Sequence, residues 1–439
     1  MLMRLRSWLL SAWTGVVGAF VSTRTNKAPK PTLAAAETAG TAAPQTALAA
    51  EPAGTRTVAS QELPGDGWAT TRTGAAGPDL DGEAAFADWL DKALRAAPNQ
   101  AAYGQTYLDS AAAVVRWRRR YRGNPKLWNR LMKDKVVKEL IECAPVVAAC
   151  RDYVDAHTKP VTVVDLCSGK GYLAMLLSEM LPKDKVARIV LVDKAWPLNG
   201  QDEPLPHQIN WDHIYDYYED WPITLTTSKQ NLKCKSSVRG MKRRVLDEAP
   251  GDIVVLAVHL CGTLSLKALD FFNSHEKCSF LVLKPCCLPG LVHSKRDEIF
   301  VVGDHSFDSK EVCSNGRFKG NVWKGPPRHL IRGKFERWAR NLEQGAKLRG
   351  DGVRKLENIT VQTEGGFQNA FIFAEHEQAT APLWDGLARR GRMPASSRRN
   401  GSGRSCAGPL PRLRPAVPFS TCRGRSSSAS WPGRRPPTM

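Results

Sequence analysis

The run Val161-Thr-Val-Val-Asp-Leu-Cys-Ser-Gly-Lys-Gly-Tyr-Leu173 constrains the fold of this chain more than any other stretch. Four β-favouring residues lead into Asp165, a turn at Ser168 to Gly171 follows, and Tyr172 to Leu181 has the apolar density of a buried helix. That order is strand, tight loop, helix. Gly169 and Gly171 carry no Cβ, so the backbone can turn sharply there and come close to a ligand. Downstream, Arg188-Ile-Val-Leu-Val-Asp193 reads as a second strand ending in an acid. An acid at that place can accept hydrogen bonds from ribose hydroxyls, as in nucleoside-binding βαβ units.

The loop is not the longer Gly-x-Gly-x-x-Gly of dinucleotide enzymes. Nor is it a P-loop, because Gly171 follows Lys170 where a P-loop places a hydroxyl for Mg²⁺. It resembles the E/D-x-G-x-G-x motif of class I S-adenosylmethionine (SAM) methyltransferases, where a shorter loop suits a cofactor without a pyrophosphate. The plainer alternative is an ordinary βα turn with two glycines. On the resemblance, Gly169 and Gly171, with Cys167 and Ser168 between Asp165 and the helix, lie against the methionine part of SAM. Asp165 then orients the loop, Asp193 with Lys194 meets the ribose, and Ser228 or Gln230 reaches adenine or ribose.

From Val161 onward, strands alternate with helices, which predicts a doubly wound sheet. Strand three is expected at Ile223–Ser228, strand four at Asp252–His259, a helix at Thr263–Phe272 and strand five at Ser279–Lys284. Pro327–Lys347 reads as a helix, and Ile359–Thr363 with Asn369–Ala374 as a hairpin. A terminal antiparallel hairpin closing a parallel sheet resembles strands six and seven of class I methyltransferases. The fold class expected is therefore α/β: a Rossmann-like seven-stranded class I methyltransferase sheet with a helical N-terminal extension. That extension, over 80–158, shows helical spacing at Ala84–Ala96, Tyr107–Tyr121 and Leu127–Val154, the last interrupted near Pro145. The catalytic domain is expected over 159–380.

Composition sets the flanks apart. Residues 1–75 are rich in Ala, Thr, Gly and Pro, and those from 386 to 439 in Arg, Ser, Pro and Gly, so neither has the apolar density to offset its ordering entropy. Of the formal net charge of +20, twelve arginines between Arg389 and Arg435 face no acid, leaving the folded body only mildly basic. Such a tail can tether nucleic acid without sequence selectivity, or be a plain solvated extension. The eleven cysteines, with Cys286 and Cys287 adjacent, form no spaced disulfide framework, which points to a reducing compartment. Arg4 and Arg6 precede an apolar run from Trp8 to Val21, short for a membrane span, and an acid-poor hydroxylated stretch follows. This resembles a bipartite plastid presequence, with Phe20 after the cleavage point. A plastid location is expected, with mitochondrion or cytoplasm as alternatives, and no stable membrane association once the presequence is removed.

In open α/β sheets, ligands bind at the carboxyl ends of the strands near the topological switch. The reactive side should therefore lie at His259-Leu-Cys-Gly262 and Lys284-Pro-Cys-Cys-Leu-Pro289. His259 is a candidate general base and also adjoins the cofactor; it equally suits a loop hydrogen bond. Cys286 and Cys287 admit three readings. They are buried inert thiols between prolines, or metal ligands together with His259, Cys261 or His293, or nucleophiles paired with Cys261 and activated by Lys284. Directly adjacent cysteines seldom share one ion, so no metal site is expected.

Asp165 to Leu173, Ala257 to Ser265 (AVHLCGTLS) and Leu283 to Gly290 (LKPCCLPG) together resemble one class I methyltransferase-domain family. It has plant and algal members, with distant animal relatives among methyltransferase-like proteins and a glutathione S-transferase C-terminal-domain protein. The resemblance covers Asn124 to Glu375 and implies the fold and SAM binding, not a substrate. A Cys-Cys pair after a strand also occurs in tRNA 2′-O-methyltransferases, but Leu288-Pro289 stand where their histidines would be. RNA is the expected substrate, held by the basic-aromatic cluster Arg116–Arg122, Lys126 and the tail. A protein or small-molecule methyltransferase and a non-catalytic SAM-binding scaffold are the alternatives.

Overall fold

The computed structural model describes residues 82–392 apart from 133–134, 199–200, 202, 217–219, 320–321 and 362–367. The presequence, and the tail beyond Arg392, lie outside the described residues.

A central sheet is built from β1 (Val161–Leu166), β2 (Val186–Asp193), β3 (Leu225–Lys229), β4 (Ile253–Cys261), β5 (Cys278–Cys287), β6 (Val353–Asn358) and β7 (Ala370–Glu375). Its order is β6-β7-β5-β4-β1-β2-β3. Strands β1 to β5 pair in parallel, whereas β7 runs antiparallel to both β5 and β6. This is the Rossmann-like seven-stranded sheet that the sequence predicts. The chain steps outward from β1 to β3 and then crosses to β4, so the switch point lies between β1 and β4.

Side chains alternate between two separate cores, as the period of a strand demands. Val163, Ile189, Leu191, Val254, Leu256 and Val282 join one core, and Val164, Val190, Val192, Val255, Ala257 and Leu281 the other. The first lies under α1 (Glu83–Arg95), α2 (Gln100–Arg120), α3 (Pro125–Met132), α4 (Val136–Ala156) and α5 (Tyr172–Met180). The second lies under α6 (Lys235–Met241), α7 (Leu264–Asn273) and α8 (Arg328–Gly345). Among the described residues, no helix is long and apolar enough to cross a membrane.

Several expected boundaries move. The long segment expected to break near Pro145 instead ends its first helix at Met132, and α4 runs through Pro145. Every residue from Leu140 to Cys150 is buried, and that packing offsets the roughly 3 kcal/mol an interior proline costs. The first strand of the hairpin is Val353–Asn358, not Ile359–Thr363, and strand three starts at Leu225 rather than Ile223. Strands β4 and β5 extend to Cys261 and Cys287, so both cysteine motifs are strand ends and not loops. Finally, α9 (Ala381–Arg392) crosses the boundary expected at 386. Its Leu383 and Leu387 join the first core, and Arg390 pairs with Asp152 of α4 at 2.8 Å.

Candidate active site

The glycine loop after β1 is held from behind and open in front. Cys167, Gly169 and Gly171 all take positive φ, at 57°, 55° and 84°. A Cβ on Gly171 would lie 2.4 Å from Leu191 Cδ2, so the loop's back is packed against β2. A Cβ on Gly169 would meet nothing within 4 Å. The carboxylate of Asp193 accepts from the Gly169 amide at 3.2 Å and the Ala195 amide at 2.8 Å. The Gln230 amide donates to the Asp193 carbonyl at 3.1 Å, so one residue ties together the ends of β1, β2 and β3. Ser168 Oγ accepts from Trp196 Nε1 at 3.2 Å, Gln230 Nε2 lies 3.4 Å from Ser228 Oγ, and Lys194 is exposed.

The helical layer clasps this loop. Lys170 Nζ donates to the Arg130 carbonyl at 2.5 Å, and the Tyr172 hydroxyl donates to the Leu131 carbonyl. His213 Nε2 lies 2.7 Å from the Lys170 carbonyl, and burial pushes its pKa down to about 4, so the ring is neutral. Burial, reinforced by Asp193, pushes Asp165 up to about 8, so its carboxyl holds a proton at neutral pH.

Across the switch point, β4 and β5 end in paired irregularities. Val258 faces Lys284, Leu260 faces Pro285 and Cys261 faces Cys287, which leaves His259 and Cys286 as extra residues. Bulges of this kind re-aim side chains beside functional sites. His259 adopts φ of 62°, in the left-handed region. Its Nε2 lies 2.7 Å from Glu142 Oε2, without the alignment of a hydrogen bond. Glu142, on α4, also approaches Lys284 Nζ at 3.9 Å, and both side chains are essentially inaccessible. Burial raises the Glu142 pKa, but His259 and Lys284 outweigh it and hold the carboxyl below its usual value. Burial lowers Lys284, only partly opposed by Glu142.

The three cysteines converge. Cys261 Sγ lies 3.1 Å from Cys286 Sγ, which lies 3.6 Å from Cys287 Sγ and 3.3 Å from the His259 carbonyl. Cys261 and Cys287 are exposed and Cys286 is half-buried, so the adjacent pair is not fully buried as its structural reading expects. Hydrogen bonding from Cys286 and then Cys287 pulls the Cys261 thiol down, whereas the bond to Cys261 pushes Cys286 up.

Two features escaped the sequence reading. Glu142 is one; its signal is a lone acid within the apolar stretch Leu140–Cys150. The other begins where β3 ends. From Lys229 to Leu246 there are seven Lys or Arg and no acid. Lys233, Lys235, Arg239, Arg243 and Arg244 are exposed, and none has an ion-pair partner among the described residues. Three arginines of the Arg116–Arg122 cluster, by contrast, are ion-paired, whereas Arg122 and Lys126 are exposed. Arg116 pairs with Glu179 at 2.7 Å and Arg120 with Asp220 at 2.6 Å; Arg119 pairs with Glu83. Trp117 and Tyr121 are buried.

Residues 133–293 match a family model described as a methyltransferase domain. No curated protein matches the chain. Among solved structures, it is similar to a cyclopropane-fatty-acyl-phospholipid synthase-like protein from Lactobacillus casei at 14% identity, covering 34% of this chain and 50% of that one, with a TM-score of 0.20. It is similar to a SAM-dependent methyltransferase from Agrobacterium tumefaciens at 11% identity, covering 55% and 62%, with a TM-score of 0.26. A third, a SAM-dependent methyltransferase from Clostridium acetobutylicum, shares 10% identity, covers 59% and 99%, and gives 0.27. The chain spans less than two thirds of the length of the first two. The stretch that matches the methyltransferase-domain model carries the five parallel strands β1 to β5 of the sheet.

Proposed function

We propose that this chain is a SAM-dependent methyltransferase acting on RNA. The residues present fit that cofactor: open space fronts Gly169, Asp193 stands at the end of β2, and Gln230 follows β3. SAM supplies an activated methyl group. What the protein must add is position and deprotonation of the acceptor. His259 Nε2 faces the buried Glu142, which leaves Nδ1 to take the acceptor's proton, while Glu142 steadies the imidazolium that results. His259 and Lys284 together hold the Glu142 carboxyl below its usual value against the burial that raises it.

The basic face Lys233–Arg244 carries the choice of RNA. It starts one turn beyond Lys229, the residue that pairs with Asp193, so polyanion and cofactor would meet along one edge. Phosphate contacts of that kind position a nucleic acid without reading its sequence. The test is methyl transfer from labelled SAM to fractionated cell extract. Nuclease-sensitive label supports the reading, and label removed only by protease, or found in small molecules, sinks it.

A further inference from the structure

The three convergent cysteines suit a purpose that neither the cofactor loop nor the Glu142–His259 pair requires. In a regular strand, adjacent side chains point to opposite faces, so Cys286 and Cys287 would diverge. The bulges at His259 and Cys286 cancel that divergence and bring three sulfurs from two strands together, all within 4.8 Å of one another. Zinc–sulfur bonds of about 2.3 Å in a tetrahedron place sulfurs about 3.8 Å apart. Two spacings here, 3.1 Å and 3.6 Å, fall somewhat short of that value and none exceeds 4.8 Å, so small side-chain rotations reach it.

We propose that Cys261, Cys286 and Cys287 bind one zinc ion, with its fourth position open to an exogenous ligand. Three thiolates on a divalent cation leave one negative charge, which the exposed side of the site at Cys261 and Cys287 shares with solvent. Exposure of Cys261 and Cys287 opens the site on the solvent side, the pattern of a three-ligand zinc that keeps a coordination position free. Binding releases the thiol protons to solvent, so affinity rises with pH. The inference is independent of the methyl-transfer reading.

The experiment uses the full-length chain, reduced and freed of metal, titrated with Co²⁺ and then Zn²⁺. One equivalent of Co²⁺ should give a thiolate-to-cobalt charge-transfer band with intense visible bands of a tetrahedral ion, and Zn²⁺ should abolish both. Cys261→Ser and Cys287→Ser should lose the charge-transfer band. Its absence from the unsubstituted chain, or its persistence in Cys261→Ser/Cys286→Ser/Cys287→Ser, overturns the proposal. If substituted chains fail to fold, alkylation of the unsubstituted chain decides. Zn²⁺ should protect Cys261, Cys286 and Cys287 from iodoacetamide while the remote Cys234 stays reactive, and equal labelling with and without zinc overturns the site.

Discussion

Glu142 Oε2 and His259 Nε2 lie 2.7 Å apart, joining a helix of the N-terminal layer to the end of β4. On the proposed function, the contact makes α4 part of the reactive centre and not only a cover for the sheet. Glu142 has two partners of opposite accessibility: Lys284, wholly buried, and His259, with about a third of its side chain exposed. A buried charge that orients an accessible imidazole is a positioning device for proton transfer.

Removing that carboxylate should therefore be costly in two separable ways. Glu142→Gln leaves Lys284 buried beside no counter-charge, and breaking such a pair costs roughly 3–5 kcal/mol. Replacing both members, as Glu142→Gln with Lys284→Met, should restore much of that stability in urea unfolding, because no buried charge remains. Methyl transfer should stay low in the double variant. Recovery of activity together with stability would show that Glu142 acts only on the fold.

Which parts of this were legible in the sequence follows from how local each signal is. The glycine loop, Asp193 and the apolar strands β4 and β5 declare themselves within a few residues. Strand β6 does not: Val353-Arg-Lys-Leu-Glu-Asn358 is a polar edge strand, half-buried, and the more β-branched Ile359-Thr-Val361 beside it attracts the assignment. The bulges at His259 and Cys286 exist only between strands, so no pattern in either strand reports them. Likewise, Arg116 and Arg120 look like a free basic patch until Glu179 and Asp220 arrive from distant segments.

The proton on Asp165 makes stability depend on pH in a definite direction. Its pKa is raised to about 8 by burial and Asp193, against 3.8 for an unperturbed aspartate. The folded state thus holds a proton that the unfolded chain has released. Its contribution is full below the unfolded value and is lost as pH rises through the folded one, at up to about 1.4 kcal/mol per pH unit. Between about pH 4 and pH 6.5 the buried His213 and His376, both held near 4, pull stability the other way, so urea midpoints should fall between about pH 6.5 and pH 8 and then level off. Asp165→Asn, a neutral mimic, should lack that fall; an unchanged slope would place the titration elsewhere.

The two glycines of the loop should separate folding from binding. Gly171→Ala puts a methyl 2.4 Å from Leu191 Cδ2 at φ of 84°, so strain and overpacking together should cost roughly 2–5 kcal/mol. Gly169→Ala meets nothing within 4 Å, so its stability loss should be about 1–2 kcal/mol from the left-handed backbone alone. Its methyl nevertheless enters the open space in front of the loop. Calorimetry should show SAM affinity down by about tenfold or more, on the order of 1.4 kcal/mol, and normal affinity would remove Gly169 from the cofactor site.

The two basic regions should respond to mutation in opposite ways. Lys233→Ala/Arg239→Ala/Arg243→Ala removes exposed charges that have no ion-pair partner among the described residues, so folding should change little. If they neutralise phosphates of single-stranded RNA, the slope of log affinity against log salt should fall by about 2, roughly 0.7 for each phosphate left without its cation. Arg116→Ala should do the reverse. It takes the ion-pair partner from Glu179, whose side chain is only 4% exposed and which still accepts from Trp117 Nε1 at 3.2 Å, at a cost of roughly 1–3 kcal/mol. The salt slope should stay put, because that guanidinium already faces a carboxylate inside the fold. An Arg116 variant with a diminished slope, beside a Lys233/Arg239/Arg243 triple variant that keeps it, would move the RNA path from the end of β3 to the helical layer.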